Sequence, residues 1–358
     1  MSAPGRSQAL MPEPSKGEGN PVSPEQSGII AGMSFDFDAA VTAPFRMQPG
    51  LRRLGDGAHH LAPARPGSRH QREKLAVLSC FADDALQVAE GFDELPALRA
   101  LAAHAAAEHP GAIRWDGAAL CALGVRVEAS DGSLTTLAPG RFGLGDEVAR
   151  CLLGLAPRWR LAGLVALAFE DDLALVDGRD GSIPWLAVAL PSHWAPREKV
   201  GRSFAEVHAP VADNRLLLAA STRLVALVTA GERWERFVWT ITGHPRLHAH
   251  PERVDPRRWP ASDDPGVIAA NAWFRTERQS FLPLHGRHEA VFTIRVGIEP
   301  LSQALADPGR ARRVHDALAS MSDAVLDYRG LRAVREPLLR WLAVRGTADH
   351  SPSPGARA

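Results

Sequence analysis

Apolar residues recur three and four positions apart between residues 71 and 109, as at Leu75, Leu78 and Leu101. This spacing is that of the buried face of a helix. It is interrupted near Pro96, and proline ends a helix or occupies its first turn. The pattern therefore predicts two packed helices in this part of the chain.

The middle of the chain changes to short apolar runs at residues 161–169, 173–176 and 185–190. Asp-Gly pairs at residues 177–178 and 180–181 separate the last two runs, and such pairs mark tight turns. Short apolar runs bounded by turn residues are typical of strands. The three runs therefore predict an antiparallel meander.

Helical spacing returns at residues 214–230 and at 300–346, where Pro308 and Gly330 interrupt it. The remaining strands are predicted at residues 237–241, 272–280 and 290–298. Helices and strands do not alternate regularly, as they do in a doubly wound parallel sheet, so the sequence predicts an α+β fold.

The two ends of the chain lack periodic apolar positions. Residues 1–33 are rich in Pro, Gly, Ser and Glu, and residues 347–358 have no apolar face. Such segments cannot bury enough apolar surface to offset the entropy lost on ordering. We expect a disordered leader at 1–33, a single domain at 34–346 and a flexible tail at 347–358.

Composition narrows the partners and the compartment. Lys plus Arg number 41, as do Asp plus Glu, and this neutrality gives no basic surface for nucleic acid or an anionic membrane. No apolar run reaches the roughly 18 residues that span a bilayer. The three cysteines are odd in number and widely separated, which argues against a disulfide framework and favours the cytoplasm.

Several familiar catalytic signatures are absent from the sequence. The nearest candidate for a dinucleotide fingerprint, residues 140–145, has the wrong glycine spacing, and there is no phosphate-binding loop, nucleophile elbow or paired-histidine helix of zinc proteases. Three cysteines are also too few for a four-cysteine iron–sulfur cluster. A redox role would need a cofactor that is recognised in another way.

A series of short blocks between residues 43 and 300 carries the most specific signal. The most distinctive block covers residues 190–211 and includes Pro-Ser-His-Trp at 191–194 and His-Ala-Pro at 208–210. The other blocks lie at residues 43–47 with 50–51, at 170–173, at 236–239, at 275–280 and at 291–295. Together, and in this order, they resemble the haem-dependent oxidative N-demethylase family.

That resemblance implies a PAS-like antiparallel sheet with flanking N- and C-terminal helices, which holds haem b with an open iron position. The implied reaction uses O2 to oxidise a small methylated amine, such as dimethylamine, and releases formaldehyde. Electrons would come from NADPH through FMN and iron–sulfur carriers on partner subunits. This division agrees with the missing nucleotide fingerprint and the few cysteines.

His208 is the first candidate for the iron ligand, because a neutral imidazole is the usual proximal ligand of oxygen-binding haem and Pro210 restricts the backbone beside it. The alternative for His208 is packing beside a helix that starts near Val211. His193, in the same block, is the reserve ligand.

Strand alternation places Glu277 on one face of the 275–280 strand and Arg278 on the other. Arg278 and Arg295 are candidates for pairing with haem propionates, since a guanidinium matches a carboxylate; ordinary ion pairs with Glu277 or Glu299 are the alternative. Lys199 is a further cofactor-binding candidate.

Two carboxylates are the candidate catalytic residues, because Glu277 or Asp171 could hold a protonated amine by charge and hydrogen bonding. A cap or turn role is the alternative for Asp171.

Two histidine groups could suggest a separate metal site. Three of them, His244, His248 and His250, are closely spaced, but prolines interrupt the group and it lies outside the matched blocks. A surface loop is the favoured interpretation, and the pair His59-His60 gives a weaker signal still.

Three positions depart from the family pattern. Phe169 and Val238 stand where the family often has glutamine and asparagine, and Leu190 stands where it has an aromatic residue. Losing two amides could remove hydrogen bonds to substrate or oxygen. The identity of the amine substrate therefore stays open. The competing functions are a haem-based sensor and a cofactor-free interaction protein.

Overall fold

The longest strands of the chain form the centre of a seven-stranded antiparallel sheet. The computed structural model describes residues 35–137, 146–254 and 259–347. The strands of the large sheet, in chain order, are β1 (Arg52–Arg53), β2 (Leu86–Val88), β7 (Asp172–Asp177), β8 (Trp185–Ala187), β9 (Trp234–Thr242), β10 (Trp273–Pro283) and β11 (Glu289–Pro300). Their spatial order is β1-β9-β10-β11-β7-β8-β2, so β10 lies between two long partners.

A second, smaller sheet has four strands in sequential order. Its strands are β3 (Arg114–Trp115), β4 (Ala119–Ala122), β5 (Val125–Glu128) and β6 (Leu134–Thr136). We did not expect this sheet from the sequence. Its strands have two to four residues, too few to show a period of two.

Helices precede, interrupt and follow the large sheet. They are α1 (Phe37–Ala40), α2 (Arg69–Cys80), α3 (Ala82–Ala85), α4 (Leu95–Glu108), α5 (Asp146–Gly154), α6 (Pro157–Ala168), α7 (Phe204–His208), α8 (Arg215–Ala219), α9 (Ser221–Thr229), α10 (Pro265–Ala270), α11 (Leu301–Ala304), α12 (Pro308–Ala319), α13 (Asp323–Tyr328) and α14 (Arg335–Gly346). Side chains begin several of them: Ser68 accepts a hydrogen bond from the Gln71 backbone N–H, and Asp307 accepts one from Arg310.

Two apolar cores hold these layers together. The larger packs α2, α4, α5 and α6 against β7 and β8, with Leu78, Leu101 and Leu164 fully buried. The other packs the C-terminal helices against β9 and β10, around Trp239 and Phe274. The central strands are therefore covered by helices from both ends of the chain.

The α+β class predicted from the sequence is confirmed, as are strands at 173–176, 237–241, 272–280 and 290–298. The run at 161–169 was predicted to be a strand, and this is wrong: residues 161–168 belong to α6. Every residue from Leu161 to Ala168 is buried. A helix that is buried all round shows no polar stripe, so its period was hidden.

The leader predicted at 1–33 and residues 348–358 of the predicted tail lie outside the described residues, as do residues 140–145. Among the helices that the structure describes, none combines the length and apolar character needed to cross a membrane.

Candidate active site

His208 is the last residue of α7, a helix whose start is fixed by its own sequence. Ser203 and Glu206 form a capping box at that start, each side chain bonding to the other's backbone N–H. At the far end, the Nδ1 of His208 donates to the Phe204 carbonyl oxygen at 2.8 Å, and the two rings lie 4.1 Å apart. The ring is thus oriented through one nitrogen, and Nε2 makes no hydrogen bond to any residue that the structure describes.

The surroundings of His208 keep its imidazole neutral. Burial lowers the pKa of His208 to about 4, the Phe204 carbonyl opposes this, and the charges of Arg236 and Lys199 add to it. A neutral imidazole with Nδ1 held by a carbonyl and Nε2 available is the state of a histidine that ligates a metal.

Glu277 lies on β10, directly opposite Val238 of β9 and Val296 of β11. Its Oε1 accepts a hydrogen bond from the Ser192 hydroxyl, and its Oε2 accepts one from Nε2 of Gln279 at 2.6 Å. These contacts hold a half-buried carboxylate in one place. We use "Glu277 face" for the side of β10 that carries Arg275, Glu277 and Gln279.

Arg236 joins the surroundings of His208 to those of Glu277. It lies opposite Gln279 on the same face of the sheet, and Nη1 reaches the Pro49 carbonyl oxygen at 3.3 Å. Its Nε is buried and has no hydrogen-bond partner among the residues that the structure describes. Burial lowers the pKa of Arg236, and Glu277 opposes that change.

Arg236 also keeps part of its surface accessible although protein surrounds it, and so does Arg329. Burial lowers the pKa of Arg329 to about 10, with Tyr328 and Glu277 opposing. Its Nη1 donates to the Trp239 carbonyl oxygen at 2.7 Å. Charged side chains that are both deep and accessible are typical of the lining of a cavity.

An apolar cluster lies along the same face of the sheet. Phe281 and Phe292, cross-strand neighbours in register with Ala174, stack with ring centroids 4.8 Å apart. Trp194 and Val200 pack on this cluster. The Glu277 face therefore combines an apolar wall, a fixed carboxylate and the guanidinium of Arg236. An apolar wall suits the haem ring, and a guanidinium suits its propionates.

The opposite side of β10, the "Arg278 face", carries Thr276, Arg278 and Ser280. Here Arg278 forms a buried ion pair with Glu235, with 2.9 Å between Nε and Oε2. Its Nη2 donates to the His59 carbonyl oxygen at 2.9 Å. Its Nη1 forms no hydrogen bond with any described residue. An interstrand ion pair was the alternative raised from the sequence, although its partner is neither Glu277 nor Glu299.

Arg295 lies opposite Arg278 in the β10–β11 register. Burial lowers the pKa of Arg295, and the nearby Asp171 opposes this change. Arg278 and Arg295 therefore share one face, while His208 interacts with Arg236 on the other.

Asp171 is almost fully buried, with 1% of its surface exposed. Its Oδ2 accepts a hydrogen bond from the backbone N–H of Ala62 at 2.7 Å, and its Oδ1 accepts none from the part of the chain that the structure describes. Burial raises the pKa of Asp171, with Arg295 acting against it. Its observed bond reaches 109 residues along the chain, so the carboxyl ties distant segments together.

Lys199 directly follows the short 3-10 helix Pro196–Glu198, is half-buried and acts electrostatically on His208. Burial lowers its pKa. His193 is an exposed residue with a left-handed backbone, φ 63°. Its ring lies 6.3 Å from that of His244, so it belongs to a different part of the site.

The histidines at 244, 248 and 250 were expected in a surface loop, and this is wrong because all three are buried. One nitrogen of each ring is bonded to the backbone. His248 Nδ1 donates to the Ala189 carbonyl oxygen at 2.7 Å, while the Nδ1 atoms of His244 and His250 accept the N–H groups of Arg246 and Glu252.

The three departures from the family pattern occupy different settings. Phe169 and Leu190 are buried apolar residues, whereas Val238 is half-buried directly opposite Glu277. The missing asparagine would therefore lie beside the carboxylate, and this departure bears most directly on the site.

Several members of the site were missed from the sequence. Ser192 and Arg236 lay within resemblance blocks, so the blocks were a usable signal for them. Arg329 lies in the C-terminal helical region, and no local pattern connects it to β9.

Comparison with known protein families identifies a family whose matched region contains these site residues. The family model described as haem-dependent oxidative N-demethylase, alpha subunit-like, matches residues 158–339, just over half of the chain. The matched stretch contains His208, Lys199, Arg236 and Glu277. The chain therefore belongs to the family of haem-dependent oxidative N-demethylase, alpha subunit-like proteins, as its sequence blocks indicated.

Proposed function

We propose that this chain is the haem-binding subunit of an oxidative N-demethylase that acts on a small methylated amine. Each turnover would use one O2, two electrons and two protons to convert N–CH3 into N–H, formaldehyde and water. The observation that carries the proposal is the His208 ring, which is fixed through Nδ1 and whose Nε2 makes no hydrogen bond within the described part of the chain.

In this proposal Nε2 of His208 ligates the iron of haem b. When bound, the haem supplies oxygen activation at its open iron position. Lys199 and Arg236 are better placed than Arg278 and Arg295 to neutralise the propionates. Lys199 and Arg236 act electrostatically on His208, whereas Arg278 is paired with Glu235 on the other face of the sheet.

We assign amine binding to Glu277 and give Asp171 a positioning role. Glu277 is held by Ser192 and Gln279 and is only half-buried, and each carboxylate oxygen can accept a further hydrogen bond from a protonated amine. Asp171 is buried and accepts a hydrogen bond from the Ala62 backbone, so it holds the segment around Ala62 next to the start of β7.

Electrons have to come from outside this chain, which lacks a nucleotide fingerprint and a four-cysteine set. The family description "alpha subunit-like" implies other subunits. We propose that these carry FMN and iron–sulfur centres and pass on electrons from NADPH in the cytoplasm. We further propose that the large antiparallel sheet with its flanking helices is a PAS-like scaffold.

The test is haem reconstitution of the full chain, compared with His208→Ala. The wild type is expected to give a Soret band at one haem per chain, and the variant to lose or shift that band. His315→Ala on α12 is the matched control and should match the wild type. An unchanged band in His208→Ala would overturn the ligand assignment.

Formaldehyde release from methylated amines with an artificial reductant tests the catalytic half of the proposal. Haem-loaded protein that releases formaldehyde supports the enzyme. Stoichiometric haem with no release from any methylated amine would favour a sensor and overturn the proposed reaction.

A further inference from the structure

A group of histidines surrounds Glu108, at the end of α4 and far from His208 in sequence. His104 and Glu108 are one helical turn apart on α4, and His60 comes from the extended segment before α2. One ligand atom from each of the three lies within 4.8 Å of the others. The family match begins only at residue 158, so it does not cover this cluster.

The distances within the cluster suit a small metal ion. Nδ1 of His60 and Nε2 of His104 each lie 3.6 Å from Oε1 of Glu108. Ligand atoms at about 2.1 Å from a tetrahedral zinc ion are separated by roughly 3.4 Å. Small side-chain adjustments would therefore bring the three atoms to zinc-binding distance.

Unsatisfied nitrogen atoms point to a missing ligand. The His60 side chain is completely buried, yet among residues 35–137, 146–254 and 259–347 neither of its ring nitrogens has a hydrogen-bond partner, and Nε2 of His104 has none either. A buried polar group without a partner costs about 1–3 kcal/mol. Two such imidazoles side by side need a shared explanation, and a bound cation supplies one.

The carboxylate of Glu108, the third candidate ligand, is oriented by backbone hydrogen bonds. Its two oxygens accept the backbone N–H groups of His60 and Leu61 at 2.8 and 3.0 Å. Burial acts to raise the pKa of Glu108, but the neighbouring imidazoles of His104, His109 and His60 lower it well below its ordinary value. Burial also lowers the pKa of His60, against the pull of Glu108, so a carboxylate and a neutral imidazole face each other.

A second trio around the same carboxylate, His59 with Glu108 and His109, fits an ion less well. His109 Nε2 donates to the Leu61 carbonyl oxygen at 2.8 Å, so it is occupied. The His59 and His109 rings stack 4.8 Å apart, which directs their in-plane lone pairs side by side.

We propose that His60, His104 and Glu108 bind one divalent transition-metal ion, zinc in the first place. Two histidines and one carboxylate are a known protein ligand set for zinc. The fourth position is left to water on the side of His104, whose side chain is 30% exposed.

The ion would fasten a segment that reaches the Arg278 face. Directly beside His60, the His59 carbonyl accepts from Arg278 and the Ala62 N–H donates to Asp171. Binding at His60 therefore anchors to α4 the segment that supports this face, which is a structural role independent of the proposed haem chemistry.

The experiment uses the full chain purified without a histidine tag, with zinc measured by elemental analysis and its affinity by competition with a chelator. About one zinc per chain is expected, with a thermal midpoint that rises as zinc is added back to chelator-treated protein. His104→Ala should weaken zinc binding by more than about 100-fold, since loss of outer-shell partners alone costs 10- to 100-fold.

Two controls make the result decisive. His109→Ala removes a neighbour of Glu108 that is outside the proposed ligand set, and His315→Ala removes a distant histidine; both should retain zinc. Zinc binding that is unchanged in His104→Ala, or that is lost only in His109→Ala, would overturn the proposal. So would wild-type protein that binds no zinc above background.

Discussion

The two faces of strand β10 carry the same kinds of polar and charged residue, but they differ in how those residues are paired and how accessible they are. On the Arg278 face, the guanidinium of Arg278 is paired with Glu235, and Asp171 lies behind it almost without exposure. On the Glu277 face, the carboxylate is held by a hydroxyl and an amide and keeps an accessible surface.

The difference shows that polarity alone does not mark the functional side of a strand. A buried ion pair neutralises both its partners and leaves little for a ligand. A carboxylate fixed by neutral donors keeps its charge for a cation that arrives from outside. Accessibility and the identity of the partner therefore separate the structural face from the candidate catalytic one.

The largest expected effect comes from breaking the ion pair on the Arg278 face. Arg278→Met removes the buried partner of Glu235 and leaves it paired with the exposed Arg52. The free energy of unfolding should therefore fall by about 3 kcal/mol, the lower end of the cost of breaking a buried ion pair. Urea denaturation measures this. Haem content per folded chain should stay unchanged.

Arg53→Met is the matched control, because Arg53 pairs with Glu232 at the surface and should cost at most about 1 kcal/mol. If Arg278→Met instead removed haem without affecting stability, Arg278 would belong to the cofactor site and the contrast between the faces would fail.

On the Glu277 face, Glu277→Gln removes the charge and keeps the shape. A hydrogen bond to a charged group contributes about 1.5–3 kcal/mol, and about 1.4 kcal/mol is tenfold. The value of kcat/KM for amine oxidation should therefore fall roughly 10- to 100-fold, measured by formaldehyde release, while the Soret band is unchanged. Glu299→Gln, at an exposed position on β11, should leave turnover intact, and equal losses in both variants would contradict the assignment.

Asp171 gives a test by pH. Because burial raises its pKa, the unfolded carboxyl ionises first as the pH rises above its ordinary value. The unfolded state then binds fewer protons than the folded state, so stability should fall with rising pH up to the folded pKa. Each unit by which the pKa is raised corresponds to about 1.4 kcal/mol.

Asp171→Asn keeps an acceptor for Ala62 and removes this ionisation. Urea denaturation between pH 4 and 8 should show a flatter profile for the variant than for the wild type, with Glu299→Gln following the wild type. Parallel profiles of Asp171→Asn and wild type would show that the carboxyl ionises without penalty.

The smallest effect is expected from restoring the amide opposite Glu277. Val238→Asn should change KM among small methylated amines by about 2- to 10-fold, the range of one neutral hydrogen bond, with little change in kcat. Val238→Thr keeps the branched shape without the amide and is the control. Identical KM values in Val238→Asn and the wild type would place the substrate away from β9.

The local sequence was enough to predict an element when the signal for that element lay within its own residues. The strands at 237–241 and 272–280 were predicted from short local runs, and the block around residue 208 drew attention to the histidine that ends α7. The period failed for α6, because full burial of Leu161–Ala168 removed the polar stripe that marks a helix.

The sequence by itself determined the α+β class, the long central strands, the family and the residues that alternate on β10. The tertiary structure alone decided that Arg278 pairs with Glu235, that Arg236 interacts electrostatically with both His208 and Glu277, and that His60 meets His104 and Glu108. These contacts join residues tens of positions apart, and local periodicity carries no information about which distant segments become neighbours, because packing of the whole core sets that choice.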